Sequence, residues 1–377
     1  MNPTWPRVVE RADATVLWSD PATVATFDLE GRPVSWWREG RLCKRSLASE
    51  VHERVRAAGR RVRRQLPEDE ARREFEGLLR DVRRAVRPDT AVDRLETVLR
   101  WTAEGWMAER DRFRRAYRPV AILPPDAYLA IVVQLTTGCT WNRCTFCEFY
   151  QDRRFAALDR LALAAHLDAV AALLGRGAAL RRSLFLADGN ALALSDARLI
   201  RALSAARERF PGRPVAGFAD VLTGARRSPA AWAALSRAGL RRIHVGVESG
   251  HDPLLAWMDK PQDAAAAVAF VRDVKDAGLE VAPIVLAGAG GARWAEAHVR
   301  DTVAAIAALP LRAGDRVYVS PFVEHPGSEY ARRAREDAVE PLPAEAIEAQ
   351  LRDLRRGIAA AHPGIPVARY DLAEFLY

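Results

Sequence analysis

Residues 130–147 read Ala130-Ile-Val-Val-Gln-Leu135-Thr-Thr-Gly138-Cys139-Thr-Trp-Asn-Arg-Cys144-Thr-Phe146-Cys147. A short apolar run of strand length is followed at once by three cysteines within nine residues. The chain of 377 residues holds one other cysteine, Cys43. Thiolate is the form that ligates iron or zinc, so thiols this close at a strand end are placed to hold a metal. A structural zinc site is closed by four Cys or His ligands. Here the loop offers three, the nearest downstream histidine (His166) lies in an Ala/Leu-rich helical stretch, and Cys43 is far upstream. Three thiolates suit a four-iron, four-sulfur cluster in which one iron stays open for another ligand. A disulfide is disfavoured, because Met1-Asn-Pro-Thr-Trp-Pro6 lacks the apolar segment that would route the chain to an oxidising compartment. Spacing favours the iron–sulfur cluster and leaves zinc as the alternative.

Downstream, apolar runs alternate with helical patterns. Candidate strands are Ile131–Leu135, Ser183–Ala187, Val215–Phe218, Arg242–Val247, Val281–Leu286 and Arg316–Val319. Helix starts and stops punctuate them: Ser195, Ser228-Pro229 and Asp263 as starts, Gly239 and Gly278 as stops. This period reads as βα units around a parallel sheet. Six such units are too few for a closed eight-fold barrel, so an α/β fold with a partial (β/α)6 TIM-like barrel is expected. Its ligands would bind at the C-terminal strand ends, where the cysteine loop already lies.

The cysteine loop resembles the cluster loop of radical S-adenosylmethionine (radical SAM) enzymes, including the aromatic Phe146 before the last cysteine. The family usually spaces its cysteines by three residues, then two; this chain has four, then two. A second segment, Gly246-Val-Glu248-Ser249-Gly250, continuing through Leu254 and Met258 to Lys260, resembles the core shared with tRNA methylthiotransferases. The resemblance implies that Glu248 and Ser249 reach the ribose and carboxylate of S-adenosyl-L-methionine (SAM). Asp188-Gly189-Asn190 is similar, more loosely, to the Gly-Gly-Glu segment that holds the methionine amino group, and is equally good as a plain turn. Leu286 and Gly288 fit the family's Ile-x-Gly pattern near the adenine, with Gly291 where that pattern has a glutamate. The resemblance covers about residues 128–330.

It implies one mechanism. Cys139, Cys144 and Cys147 would bind three irons of a [4Fe–4S] cluster, and SAM would chelate the fourth. An electron from the reduced cluster, supplied by a flavodoxin or ferredoxin, would split the sulfonium C–S bond and release a 5′-deoxyadenosyl radical that takes hydrogen from a substrate. Candidate substrate-facing residues beyond the strand ends are Glu148, Tyr150, Asp220, His244, Glu324 and His325. Glu324 and His325 are the first choice for catalysis. No cysteine follows Cys147, so an auxiliary cluster is not expected, and no cobalamin-binding histidine motif stands out upstream.

The expected organisation is an N-terminal module over 1–125, the core over 126–330, and a C-terminal helix and tail over 331–377. In the first module, Val24–Asp28 and Pro33–Trp37 flank a candidate hairpin turn. Three amphipathic helices are expected after it, with stripes Val51/Val55/Ala58/Val62/Leu66, Phe75/Leu78/Val82/Val86 and Val92/Leu95/Leu99/Trp106. No apolar run is expected to span a membrane, which places the protein in the cytoplasm. The net charge is +8, and Arg54–Arg64 is dense in arginine. RNA is one reading of that stretch. The preferred one is codon bias, since the chain has 54 arginines against 3 lysines. A small-molecule substrate is therefore expected, with RNA modification as the alternative and a non-catalytic iron–sulfur or zinc regulator as the third reading.

Overall fold

The computed structural model describes residues 5–57, 60–86, 93–372 and 375–377, excluding the side chains of 55–62. The chain divides into two units: Met1–Val120 with Ala165–Arg182 and Leu376–Tyr377, and Ala121–Ala164 with Ser183–Phe375.

The first unit carries an antiparallel meander of seven strands in chain order: β1 Arg7–Glu10, β2 Ala14–Asp20, β3 Thr23–Asp28, β4 Pro33–Arg38, β5 Arg41–Arg45, β6 Val51–Ala57 and β7 Arg60–Gln65. Strand alternation sends Ala25, Phe27, Trp36, Cys43 and Val51 to one face. There they are buried against Phe75, Leu78, Val82, Leu95, Val98 and Trp106 of helices α1 Glu68–Ala85, α2 Asp93–Leu99 and α3 Ala103–Ala116. The expected hairpin forms as β3–β4. The expected helix over Val51–Leu66 does not: the segment forms β6 and β7, with Val55 opposite Val62. Its valines satisfy a period of two as well as one of four, and β-branched residues favour the strand. Ala58 lies outside the described residues. The third stripe breaks into α2 and α3 where Thr102 caps α3 by accepting from Gly105 N at 3.0 Å, and Val92 lies outside the described residues.

Arg32, 2% exposed, ties this unit together. Its guanidinium donates to Asp28 and Glu109, both at 2.8 Å, and to the carbonyls of Leu173 and Leu174, both at 2.6 Å. Those carbonyls end helix α4, Arg160–Leu174. The stretch Arg160–Leu180, with mean hydropathy 1.3, is long and apolar enough to cross a membrane by length and composition alone, a test that a core helix also passes. Its Leu167, Val170, Leu173 and Leu174 are buried in the protein.

The second unit holds β8 Ala130–Gln134, the short pair β9 Thr136–Thr137 and β10 Ala156–Ala157, β11 Ser183–Ala187, β12 Val215–Ala219, β13 Leu240–Glu248, β14 Glu280–Ala287, β15 Val317–Pro321 and β16 Val367–Arg369. Between them run α5 Asp196–Arg209, α6 Val221–Gly224, α7 Pro229–Arg237, α8 Asp252–Trp257, α9 Ala264–Asp276, α10 Gly291–Ala307, α11 Glu329–Glu336 and α12 Ala344–Ala361. Ser228 and Asp263 cap α7 and α9 by accepting from Ala231 N and Ala266 N. Ser195 occupies the N-cap of α5 without a side-chain cap bond.

All seven large-sheet strands are parallel, in the order β16-β15-β14-β13-β12-β11-β8. The six expected strands are β8 and β11–β15. The seventh, β16, is three residues long, too short to leave a periodic signal. The sheet is curved: His244 of β13 meets Phe185 of β11 at 5.6 Å and Tyr318 of β15 at 6.4 Å between ring centroids. Each partner is two strands away, so their side chains converge only on a concave face. The fold is thus an open α/β barrel with its edges at β8 and β16.

Removing the Arg32 head group leaves Asp28 and Glu109 buried together. Arg32→Leu should cost about 3–5 kcal/mol in urea denaturation followed by circular dichroism. A loss below about 1 kcal/mol would mean that the guanidinium is not the tie described here.

Candidate active site at the strand ends

The cysteine loop leaves the sheet after β8 and is pinched at its base by β9 and β10, which pair antiparallel. Thr137 Oγ1 donates to Arg154 O at 3.1 Å, and Asn142 Nδ2 to Tyr150 O at 2.9 Å. The far side of the loop is tied to the end of α8. Thr145 donates to Met258 O through its N–H (3.0 Å) and its hydroxyl (3.2 Å), and Trp141 Nε1 donates to Asp259 O at 2.8 Å. Tyr330 N in α11 donates to Thr145 O at 3.1 Å. The 246–260 segment at the end of β13, whose sequence resembles a SAM-contacting run, is therefore also the anchor of the loop.

Cys139, Cys144 and Cys147 are half-buried free thiols, whereas Cys43 is buried in the core of the first unit. Burial pushes the Cys144 thiol up to about 12 and the Cys147 thiol up to about 11, with Lys260 pulling against it in both. A metal bound here must displace those protons. Among the described residues, no three Cys, His, Asp or Glu side chains converge closely enough to share one ion. A closed zinc site needs that convergence. A cubane takes each thiolate on a different iron, so three thiols would leave one iron without a protein ligand.

At the end of β11, Asp188 and Asn190 are each 2% exposed. Burial raises the Asp188 carboxyl to about 6, against the lowering pull of Arg153, Gly138 N and Tyr150. Gly189 leaves no room for a side chain: a Cβ would lie 2.8 Å from the Tyr150 ring. Asn190 Nδ2 donates to Asp220, Thr140 and Thr223, and Asp220, an acceptor, fixes which way the amide points. Its Oδ1 is buried without a hydrogen-bond partner among the described residues. That is an acceptor waiting for a donor such as an ammonium group.

Glu248 closes β13 with φ +62°, beyond a register shift between Gly246 and Glu248. Such a bulge re-aims a side chain, and here the carboxylate folds back over Gly246, where a Cβ would come within 2.2 Å of Oε1. Glu248 Oε1 accepts from Lys260 Nζ at 3.0 Å. Burial lowers the Lys260 pKa, but Glu248 and Cys144 outweigh it and the net shift is upward. Lys260 Nζ also lies 5.9 Å from the centre of the Phe146 ring. Sequence reading quoted Lys260 without giving it a role; its neighbour in space, Glu248, is twelve residues away in the chain.

Ser249 is fully buried, and its hydroxyl lies 2.7 Å from His298 Nδ1. His298 Nε2 is 2.8 Å from Leu286 O, so Nε2 carries the proton and Ser249 donates to Nδ1. Burial holds the His298 pKa down to about 4, which keeps this chain neutral. Leu286 packs with Leu254, Met258, Tyr330 and Phe146. Gly288 N donates to Gln350 of α12 at 2.5 Å. Glu324 and His325 lie on the exposed turn after β15, with His325 Nδ1 4.0 Å from Glu148. Tyr150 is buried against Gly189. His244 sits in the barrel interior, 0% exposed, with Nε2 3.0 Å from Asp126, rather than beyond a strand end. A cavity of about 480 Å³ opens beside Cys139, lined in part by Thr140, Asn142, Gln151 and Arg153.

Residues 133–306 match the model of the Radical SAM superfamily. The chain carries a radical SAM domain, of a superfamily whose members are enzymes that use a [4Fe–4S] cluster and SAM. Among solved structures it is similar to the cobalamin-dependent radical SAM enzyme OxsB, at 17% identity over 58% of this chain (TM-score 0.41). It is also similar to the radical SAM methyltransferase TsrM from Kitasatospora setae, at 16% identity over 67% of this chain and 58% of that one (TM-score 0.48). A third is coproporphyrinogen III oxidase (HemN) from Escherichia coli, at 16% identity over 62% of this chain and 52% of that one (TM-score 0.47). The chain spans 30% of the length of the OxsB structure. No curated protein matches it.

Two outcomes are expected at this site. Cys139→Ala, Cys144→Ala or Cys147→Ala should each abolish the brown chromophore after anaerobic reconstitution, and Cys43→Ala should leave it; full iron and sulfide in the triple variant would remove the loop as ligand. Asp188 binds a proton more readily folded than unfolded, so it costs stability above pH 6 and not below its ordinary range near 4. Asp188→Asn should therefore raise the apoprotein's melting temperature at pH 7.5 relative to wild type, a gain that disappears towards pH 4. An equal shift at both pH values would show that burial of the charge is not the cause.

Proposed function

We propose that this chain cleaves SAM reductively at the cysteine loop and turns the resulting radical on a C–H bond of a small-molecule substrate. One observation supports the reading: the three thiols, the Glu248–Lys260 pair and the unpartnered Asn190 oxygen lie beyond the C-terminal ends of β8, β13 and β11 of one parallel sheet. When bound, the [4Fe–4S] cluster supplies the electron that splits the sulfonium C–S bond and frees a 5′-deoxyadenosyl radical.

The protein's own residues hold and shield. Cys139, Cys144 and Cys147 take three irons, and Phe146 gives the loop an apolar flank that keeps water from the cluster. Asn190 Oδ1 accepts from the SAM ammonium, with Asp188 and Gly189 shaping the turn beneath it. Glu248, held by Lys260, accepts from the ribose hydroxyls, and Lys260 offsets the charge of carboxylate and thiolates. Ser249 is a positioning residue: its one proton is given to His298, which fixes the turn from which Glu248 projects. Leu286 and Gly288 line the adenine side. Glu324 and His325 face the substrate from the turn after β15. The electron comes from a reduced flavodoxin or ferredoxin in the cytoplasm.

Reconstituted protein with dithionite and SAM should yield 5′-deoxyadenosine. Glu248→Ala should weaken SAM binding at least about tenfold, the loss of a charged hydrogen bond, while keeping the cluster spectrum. Glu324→Gln and His325→Asn should leave SAM cleavage without substrate unchanged. Fully loaded wild-type protein that produces no 5′-deoxyadenosine would leave the regulatory reading in its place.

A further inference from the structure

The concave face of the parallel sheet carries a floor of aromatic rings. Strand alternation with Glu248 turns Arg242, His244 and Gly246 of β13 inward. Parallel register sets Phe218 of β12 and Ala282 of β14 beside His244, and Ile284 beside both Gly246 and Tyr318 of β15. Phe218 meets Phe185 edge to face at 5.0 Å between ring centroids and lies 5.9 Å from His244. Tyr370, 5.8 Å from Tyr318, packs into the same cluster with Ala282 and Ile284.

The polar ends of this floor face away from the C-terminal strand ends. Tyr318 donates its hydroxyl to Asp126 at 2.8 Å, and Tyr370 donates its own to Leu123 O at 2.7 Å. Both acceptors precede β8, on the side where the strands begin. The inward cations are also spent. Arg242 reaches Asp126 at 2.8 Å and Glu280 at 2.5 Å, Arg316 lies 3.6 Å from Asp126, and Lys260 is held by Glu248. Asp220, at the end of β12, accepts from Thr223 N, Thr223 Oγ1 and Asn190. An anionic guest would have to be buried here without a counter-charge, which is costly. Phe185, His244, Tyr318 and Tyr370 are buried, whereas Phe218 is half-buried, as are Asp220 and Gly246 nearer the strand ends. The surface that the floor leaves open is therefore largely the carbon of one ring.

We propose that the substrate is an uncharged aromatic molecule whose ring enters the barrel beneath the Glu248–Lys260 pair and lies against Phe218. The inference rests on the cleavage reading above and names the class of molecule that the reaction acts on. Phe218 determines specificity: its ring offers the offset or edge contacts that aromatic pairs prefer. An apolar lining with few polar groups is the usual make-up of a small-molecule site.

Equilibrium dialysis of the reconstituted, SAM-loaded chain without reductant tests it, with indole as the probe. Wild-type protein should bind indole about tenfold more tightly than its anionic counterpart indole-3-acetate, and about tenfold more tightly than cyclohexanol. Phe218→Gln, which puts an amide where the ring was, should weaken indole binding about tenfold. Phe218→Trp, which fills the open space with the protein's own ring, should weaken it as much. Phe218→Leu, apolar and no larger, should lose less than either. Circular dichroism melts identify variants that fail to fold, and the polar and the enlarged variants read the floor independently. Absence of indole binding to wild type overturns the proposal, as does unchanged affinity in the folded Gln and Trp variants. Indole-3-acetate or cyclohexanol bound as tightly as indole overturns it equally. Binding is read before any electron is supplied, which separates the two claims. A chain that takes indole but forms no 5′-deoxyadenosine with dithionite fails only the cleavage reading; one that cleaves SAM but takes no indole fails only this one.

Discussion

The candidate site depends on a half-buried cation. Lys260 reaches back from the end of α8 to Glu248, lies over Phe146, and opposes the burial that protonates Cys144 and Cys147. A site that held three thiolates, as proposed, would gather negative charge at half-buried positions. Without a fixed cation, one of the acids would stay protonated or the loop would open. Lys260 answers both needs with one ammonium group, and Glu248 keeps that ammonium aimed.

The second constraint is mechanical. Eighteen residues between β9 and β10 would be a slack loop if they made only local bonds. Thr145, Trp141 and Tyr330 fasten the loop to the segments after β13 and β15. The neutral Ser249–His298–Leu286 chain braces β13 against α10 and β14 from behind. A loop held on two sides would keep its geometry through the electron transfer that the proposal requires, which is what directs reactive chemistry at one bond.

Much of this was readable in the chain. Six of the seven parallel strands follow from apolar runs bounded by caps and glycines, because a sheet buried on both faces writes itself as continuous hydrophobic sequence. The cysteine loop stands out in the chain because its spacing is local; its role as ligand belongs to the proposal. Lys260 was in view without a role, since its partner is set by a bulge at Gly246 that no pattern announces. His298 was invisible for the same reason: nothing local marks a histidine that locks a serine forty-nine residues away. The β6–β7 hairpin was misread as a helix because valines spaced by four also stand on one face of a strand.

The central claim is that three thiolates leave one iron of a cubane open to SAM. Mössbauer spectroscopy of iron-labelled, reconstituted protein reads this directly, because each iron reports its own ligands. On adding SAM, one iron of the four should shift to a higher coordination number while the other three stay thiolate-bound. A spectrum that SAM leaves unchanged, or a protein that takes up zinc and holds no sulfide, would contradict it.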